Sequence, residues 1–126
     1  MEIKERYCSF EVSKLLQEKG FDENVSGYYN IWDSKINPPV WGANTYRRSE
    51  AQHLYIKAPT HQMACDWVRG KGWYIEIPIS FDDDGNAVYS AIISSIDSFI
   101  IARIGVFPSV EEATEEALRF VLTKLI

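Results

Sequence analysis

The fold is decided by residues 73–107, which read WYIEIPISFDDDGNAVYSAIISSIDSFIIARIGVF. From Trp73 to Phe81 every second residue is apolar, and most of the residues between them are polar. This alternation is typical of a β-strand with one buried face. Pro78 has no N–H to donate to a neighbouring strand, so we expect it at a sheet edge or at a β-bulge.

Two turns divide the remainder of this stretch into two further strands. Residues 82–86, DDDGN, are typical of a hairpin turn in which Gly85 or Asn86 has a positive φ. Asp97 and Ser98 form the second turn. Strands joined by short turns pair antiparallel, so the sequence predicts a three-stranded meander. Its strands are Trp73–Phe81, Ala87–Ile96 and Phe99–Phe107.

Three amphipathic segments with helix-capping residues lie outside the meander. The first spans about Ser9–Lys19, with Ser9 as its N-cap and Gly20 after its last turn. The second follows Pro59-Thr60, and the third begins at a Ser-x-x-Glu capping box at residues 109–112. Antiparallel strands flanked by helices predict an α+β fold with the helices packed on one face of the sheet.

Two aromatic stretches nearer the N-terminus, Gly27–Trp32 and His53–Lys57, predict additional strands that are candidates to extend the meander. The chain length of 126 residues fits a single α+β domain over residues 1–126. Neither a signal-peptide pattern nor an apolar run of about 20 residues is present, so we expect a cytoplasmic protein.

The net charge of −5 resides entirely in the second half of the chain. Residues 1–58 contain eight basic and eight acidic side chains, whereas residues 59–126 contain five basic and ten acidic ones. An acidic surface repels phosphate backbones and disfavours nucleic-acid binding. An alternative hypothesis is a nucleic-acid-binding module that uses the adjacent basic pair Arg47 and Arg48.

The aromatic side chains of the N-terminal half form a candidate interaction surface. They supply faces for stacking against a ligand, and the alternative is that they complete a small core. The set consists of Tyr28, Tyr29, Trp32, Trp41 and Tyr46.

A small enzyme built on Cys65 and His61 is the second alternative. The two residues are spaced i, i+4 on the predicted second helix, which places them on one helix face. No nucleophile motif or third orienting group accompanies them, and a cysteine is also a common small core residue. The aspartates at 82–84 lack the flanking acidic ligands of a calcium loop, so we interpret them as part of a hairpin turn. No cofactor or metal ligand set is predicted.

The second and third meander strands carry apolar residues on both faces. In the third strand, strict alternation places Ile100, Ala102, Ile104 and Val106 on one face and Phe99, Ile101 and Phe107 on the other. Helices cover only one face of a sheet, so something else is expected to cover the second. The two candidates are the aromatic segment Tyr28–Trp41 and a second copy of the chain.

The chain resembles a family of short uncharacterised proteins from gut Bacteroides-type bacteria and their phages or mobile elements. The resemblance rests on VSKLLQEKGF at residues 12–21, APTHQMA at residues 58–64 followed by Trp67, and the closing acidic, Ala/Leu-rich helix. It implies a cytoplasmic accessory protein and carries no activity, cofactor or catalytic residue. The acidic charge and the missing motifs favour a non-enzymatic interaction protein with a protein partner.

Overall fold

The computed structural model describes residues 7–25, 27–30, 40–41, 55–97 and 99–126. The chain divides into two compact units, Met1–Ala64 and Cys65–Ile126, called here the N-terminal and C-terminal units. Helices and antiparallel sheets occur together, which confirms the predicted α+β class. The single-domain assignment stays a prediction.

The N-terminal unit combines helix α1 (Phe10–Glu18) with a small antiparallel sheet. The sheet order is β2-β1-β3, with β1 at Gly27–Asn30, β2 at Val40–Trp41 and β3 at Tyr55–Ala58. These strands therefore form a sheet of their own and do not extend the meander. Helix α1 packs against β3.

Local sequence signals fix both ends of α1. The Ser9 hydroxyl accepts a hydrogen bond from the Val12 N–H at 3.2 Å, as an N-cap does. At the other end, the Phe21 N–H donates to Leu16 and the Gly20 N–H donates to Gln17, which is the Schellman pattern. Phe21 is buried. The predicted capping of this helix is confirmed.

Helix α2 (His61–Gly70) contains the boundary between the two units. The Thr60 hydroxyl accepts a hydrogen bond from the Met63 N–H at 3.2 Å, as predicted for its start. Ala64 and Val68, one turn apart, are fully buried, whereas Met63 and Trp67 are half-buried. The apolar face predicted from the spacing of these four residues is therefore present.

The C-terminal unit contains the predicted meander. Its strands are β4 (Trp73–Glu76), β5 (Ile79–Phe81), β6 (Ala87–Ser95) and β7 (Ile100–Phe107). Strand β6 is central: β4 and β5 pair with one side of it and β7 pairs with the other, all antiparallel. The predicted strand order and direction are confirmed.

Strands β4 and β5 are two parts of one edge strand interrupted at Ile77 and Pro78. Trp73 pairs with Ser95 and Phe81 pairs with Ala87, so the register is the same on both sides of the interruption. The Pro78 carbonyl still accepts a hydrogen bond from the Ser90 N–H at 3.2 Å. Of the two predicted positions for Pro78, the structure shows the edge without a bulge.

The hairpin turn between β5 and β6 is organised by Asp82. One oxygen of its carboxylate accepts hydrogen bonds from the N–H groups of Asp84 at 3.0 Å and Asn86 at 2.8 Å. Gly85 has a φ of 83°, which confirms the predicted positive φ in this turn. The acidic run is thus accounted for by turn geometry.

Strand β7 contains two β-bulges, one at each end of its pairing with β6. The register shifts between Ile93 and Ser94, and again between Tyr89 and Ala91, and each shift adds one residue to β7. The first extra residue is Ile101. The second shift adds a residue between Ile104 and Phe107, where Gly105 has a φ of 124°.

These bulges overturn the predicted faces of the third strand. Ala102 and Ile104 lie opposite Ile93 and Ala91, whereas Ile100 lies opposite Ser94. Residues directly opposite in an antiparallel pair share a face. Because Ile93 and Ser94 are neighbours on β6 and point to opposite faces, Ile100 is on the other face from Ala102 and Ile104. Strict alternation across Ile101 was the wrong assumption.

Helix α3 (Val110–Phe120) continues as a π-helical turn over Val121–Leu125 and packs on β6 and β7. The Ser109 hydroxyl accepts a hydrogen bond from the Glu112 N–H at 3.2 Å, which confirms its predicted N-cap. Its apolar stripe meets Ala91 and Ile93 in a fully buried layer. The helix residues of this layer are Ala113, Ala117, Leu118, Val121 and Leu122.

Candidate interaction surface

The side chains of Ala91 and Ile93 lie on one face of the C-terminal sheet, beneath α3. The opposite face contains two rows of directly paired residues. The first row is Tyr74, Ser94 and Ile100, and the second is Glu76, Ile92 and Arg103. Each row crosses the edge strand, the central strand and β7 in that order. We call these six residues the open face.

The open face contains a shallow groove of about 420 Å³. Its polar components are hydroxyl groups and one carboxylate, and its apolar components are isoleucines and the Tyr74 ring. Ile96 is 67% exposed and Ile100 is 52% exposed, so the groove is accessible. The groove is lined by Tyr74, Glu76, Ile92, Ser94, Ser95, Ile96 and Ile100.

Exposed apolar side chains continue beyond the groove at the β6–β7 turn. Phe99 is 68% exposed and Ile101, the bulge residue, is 46% exposed. Together with Ile96 and Ile100 they form a cluster of four large apolar side chains on and beside the open face. Clusters of this kind mark interaction surfaces more often than single exposed hydrophobic residues do.

Charge is distributed asymmetrically across the open face. Glu76 and Arg103 lie on either side of Ile92, one strand away in each direction, and both are exposed. Adjacent strands are about 4.8 Å apart, so the two charged residues are separated by about 10 Å along the row. The face therefore has an acidic side, an apolar centre and a basic side.

The structure uses two of the five predicted aromatic surface residues as core. Tyr28 and Tyr29 on β1 are 6% and 4% exposed. The Tyr29 hydroxyl donates a hydrogen bond to the Cys8 carbonyl at 2.7 Å, and its ring meets Phe10 edge-on at 5.8 Å. Trp32, Tyr46 and the side chain of Trp41 lie outside the described residues. For Tyr28 and Tyr29, the core alternative fits the structure.

Burial raises the pKa of the Cys65 thiol to about 11, and the neighbouring Asp66 carboxylate adds to this rise while Arg69 opposes it. A thiol with this pKa is almost wholly protonated near neutral pH, whereas a nucleophilic cysteine needs a lowered pKa. Cys8 is fully buried, like a core residue. The electrostatics of Cys65 thus oppose the enzyme alternative built on Cys65 and His61.

The remaining predictions concern a basic pair, metal ligands and the acidic hairpin turn. Arg47 and Arg48 lie outside the described residues, so a nucleic-acid role for them stays a prediction. In the described ranges no group of three or more His, Cys, Asp or Glu side chains is arranged to hold a metal ion. Asp82 is engaged by backbone N–H groups of its own turn.

Sequence reasoning missed the placement of Glu76 and Arg103 in one row of the sheet. Each is a single charged residue in an otherwise apolar or hydroxyl-rich strand, and that isolation is the signal available in the sequence. Their placement in one row depends on the register of three strands, which includes the shift at Ile101. Strict alternation places Arg103 and Ile100 on opposite faces of the sheet, whereas the bulge at Ile101 brings both to the same face.

Comparison of the chain with protein family models, curated proteins and solved structures finds no match. Among the helices of the described ranges, none is both long and apolar enough to cross a membrane.

Proposed function

We propose that the protein is a non-enzymatic interaction protein that binds another protein through the open face of its C-terminal sheet. The observation that carries this proposal is the accessible groove lined by isoleucines, hydroxyl groups and Glu76, with Arg103 one strand beyond Ile92. An apolar centre with charged residues at its margins is the usual anatomy of a protein-binding patch. The raised pKa of the Cys65 thiol argues against the alternative of an enzyme that uses this cysteine as its nucleophile.

The cellular setting we propose is the cytoplasm, and the role is that of an accessory protein of a phage or mobile element. The support for this part is the resemblance of residues 12–21 and 58–67 to short proteins of gut Bacteroides-type bacteria. The acidic C-terminal half supports a protein partner over a nucleic acid, because it repels phosphate groups.

Affinity capture with matched variants tests the proposed surface. Tagged wild-type chain is used to capture partners from a Bacteroides-type host extract, in parallel with Ile100→Glu and Ile79→Glu chains. Ile100 lines the groove, whereas Ile79 is 55% exposed and pairs with Tyr89 on the other face. We expect Ile100→Glu to weaken capture by at least about tenfold, because a carboxylate is then desolvated against an apolar partner.

The control variant carries the same chemical change at a comparably exposed isoleucine, so it should capture the partner as the wild type does. Thermal melting of both variants checks that each remains folded. Equal capture by the wild type and Ile100→Glu, or an equal loss with both variants, would contradict a role for the open face.

A further inference from the structure

We infer that the partner of the open face is a second copy of this chain, packed face to face so that each Glu76 meets the partner's Arg103. This inference rests on the proposed function, since it assigns the occupant of the surface named there. It follows from the order of residues along the two rows, and both rows lie within the C-terminal unit.

The rows are complementary to themselves under a two-fold rotation. Consider a two-fold axis that runs along β6 in the plane between two facing sheets. Rotation about it leaves the central-strand residues Ile92 and Ser94 facing their own copies and exchanges the two outer strands. Glu76 then faces Arg103, and Tyr74 faces Ile100, each of them twice. A two-fold interface requires this self-complementarity.

Charge favours the face-to-face orientation over other orientations of the two copies. The C-terminal half of the chain carries the whole net charge of −5, so two copies repel each other in most orientations. The face-to-face orientation brings together two opposite-charge pairs at the margins and isoleucines at the centre. Complementary potentials of this kind fix the register of an interface and suppress other orientations.

The available area predicts a weak dimer. The sheet face that carries the open face extends beyond its six residues: strand β6 has nine residues, which corresponds to a length of about 30 Å, and three strands span about 15 Å. Two facing surfaces of this size bury about 900 Å² in total, below the range of stable complexes. We therefore expect a weak dimer, with a dissociation constant between about 1 µM and 1 mM.

The first measurement is the mass of the wild-type chain by sedimentation equilibrium from about 1 µM to 1 mM, a range that brackets this constant. We expect the mass to rise from one to two chains across the series. A mass of one chain at every concentration overturns the inference. That result leaves the proposed function standing, because capture of a different protein by the open face is measured separately with Ile100→Glu.

Charge reversal then tests the geometry. Glu76→Arg alone places arginines against arginines, and Arg103→Glu alone places glutamates against glutamates. We expect each single variant to raise the dissociation constant at least about tenfold, since two attractive pairs become repulsive. The double variant Glu76→Arg/Arg103→Glu should associate as the wild type does.

The deciding experiment mixes the two single variants in equal amounts. In the mixture both facing pairs are again of opposite charge, so we expect a heterodimer with affinity close to that of the wild type. A Glu76–Arg103 pair within one chain cannot produce this rescue. Absence of association in the mixture, or single variants that dimerise like the wild type, overturns the inference.

Both positions are exposed, and circular dichroism of each variant checks its fold. If a reversal unfolds the chain, Glu76→Gln and Arg103→Gln replace it, with an expected weakening of about threefold each. No weakening with these neutral variants also overturns the inference.

Discussion

The two faces of the C-terminal sheet are made by the same strands and have opposite environments. Ile93 is fully buried beneath α3, whereas Ile92, the preceding residue of the same type, lies on the open face. Ile100 is 52% exposed on that face. Side-chain hydrophobicity therefore does not determine which face of the sheet forms the core. The position of α3 and the strand register determine it.

The largest expected effect comes from truncating one isoleucine on each face. Ile93→Ala should lower the free energy of unfolding by about 3 kcal/mol, because it leaves a cavity beneath α3. Ile100→Ala should lower it by less than about 1 kcal/mol, since its side chain is half in solvent already. Urea denaturation at low micromolar concentration measures both. Similar losses for the two variants would break the distinction between the faces.

An intermediate effect is expected from Gly105, which lies in the second bulge of β7. A Cβ at this position would lie 2.8 Å from the Phe107 ring and 3.1 Å from the Ser90 Cα, and the φ of 124° disfavours other residues. Gly105→Ala should therefore lower the free energy of unfolding by about 2 kcal/mol.

Gly70→Ala is the matched control for this variant. Gly70 is the last residue of α2, and a Cβ at that position would lie in open space. We expect no loss, or a gain of up to about 1 kcal/mol from reduced freedom of the unfolded chain. If thermal or urea unfolding ranks the two variants the other way, the bulge does not have the conformation described above.

A smaller effect than that of Gly105→Ala is expected at helix α3, which packs over Ala91 and Ile93. Ser109→Ala removes the acceptor for the Glu112 N–H and should cost about 1 kcal/mol. The dissociation constant of the dimer should not change, because the open face lies on the opposite side of the sheet from α3. A weakened dimer in this variant would show that the two faces are coupled, and Ser109→Thr should restore stability in either case.

Local signals in the sequence were sufficient for much of the fold. The caps at Ser9 and Ser109 and the turn at Gly85 depend on residues within four positions of one another, and all were predicted. The bulges were not, because nothing in the order of residues 100–106 marks Ile101 as an extra residue of the strand. The isolated Gly105 is a recognised sign of a bulge, and it was the available clue. Register is set by cross-strand packing, which a single strand does not reveal.

The candidate site was predicted in part. The apolar residues on both strand faces indicated a second surface in need of a cover, but not what covers it. Tyr28 and Tyr29 suggested a surface because aromatic rings supply faces for stacking against a ligand. In the structure both are buried, and the Tyr29 hydroxyl donates a hydrogen bond to the carbonyl of Cys8, 21 residues away. A hydrogen bond across that separation leaves no pattern in the local sequence.

The interruption at Pro78 and the two bulges of β7 have a consequence for how the protein aggregates. Strand addition needs a regular edge, and bulges and prolines are known protections against it. Within the described ranges, one edge of the C-terminal sheet contains Pro78 and the other, β7, contains the two bulges. Growth into cross-β fibrils by edge pairing is therefore hindered, despite several β-branched runs in the sequence. In the proposed dimer, association through the open face ends after one step, because a two-fold contact consumes both of its surfaces. The proposed contact therefore limits the association of this sheet to a closed pair.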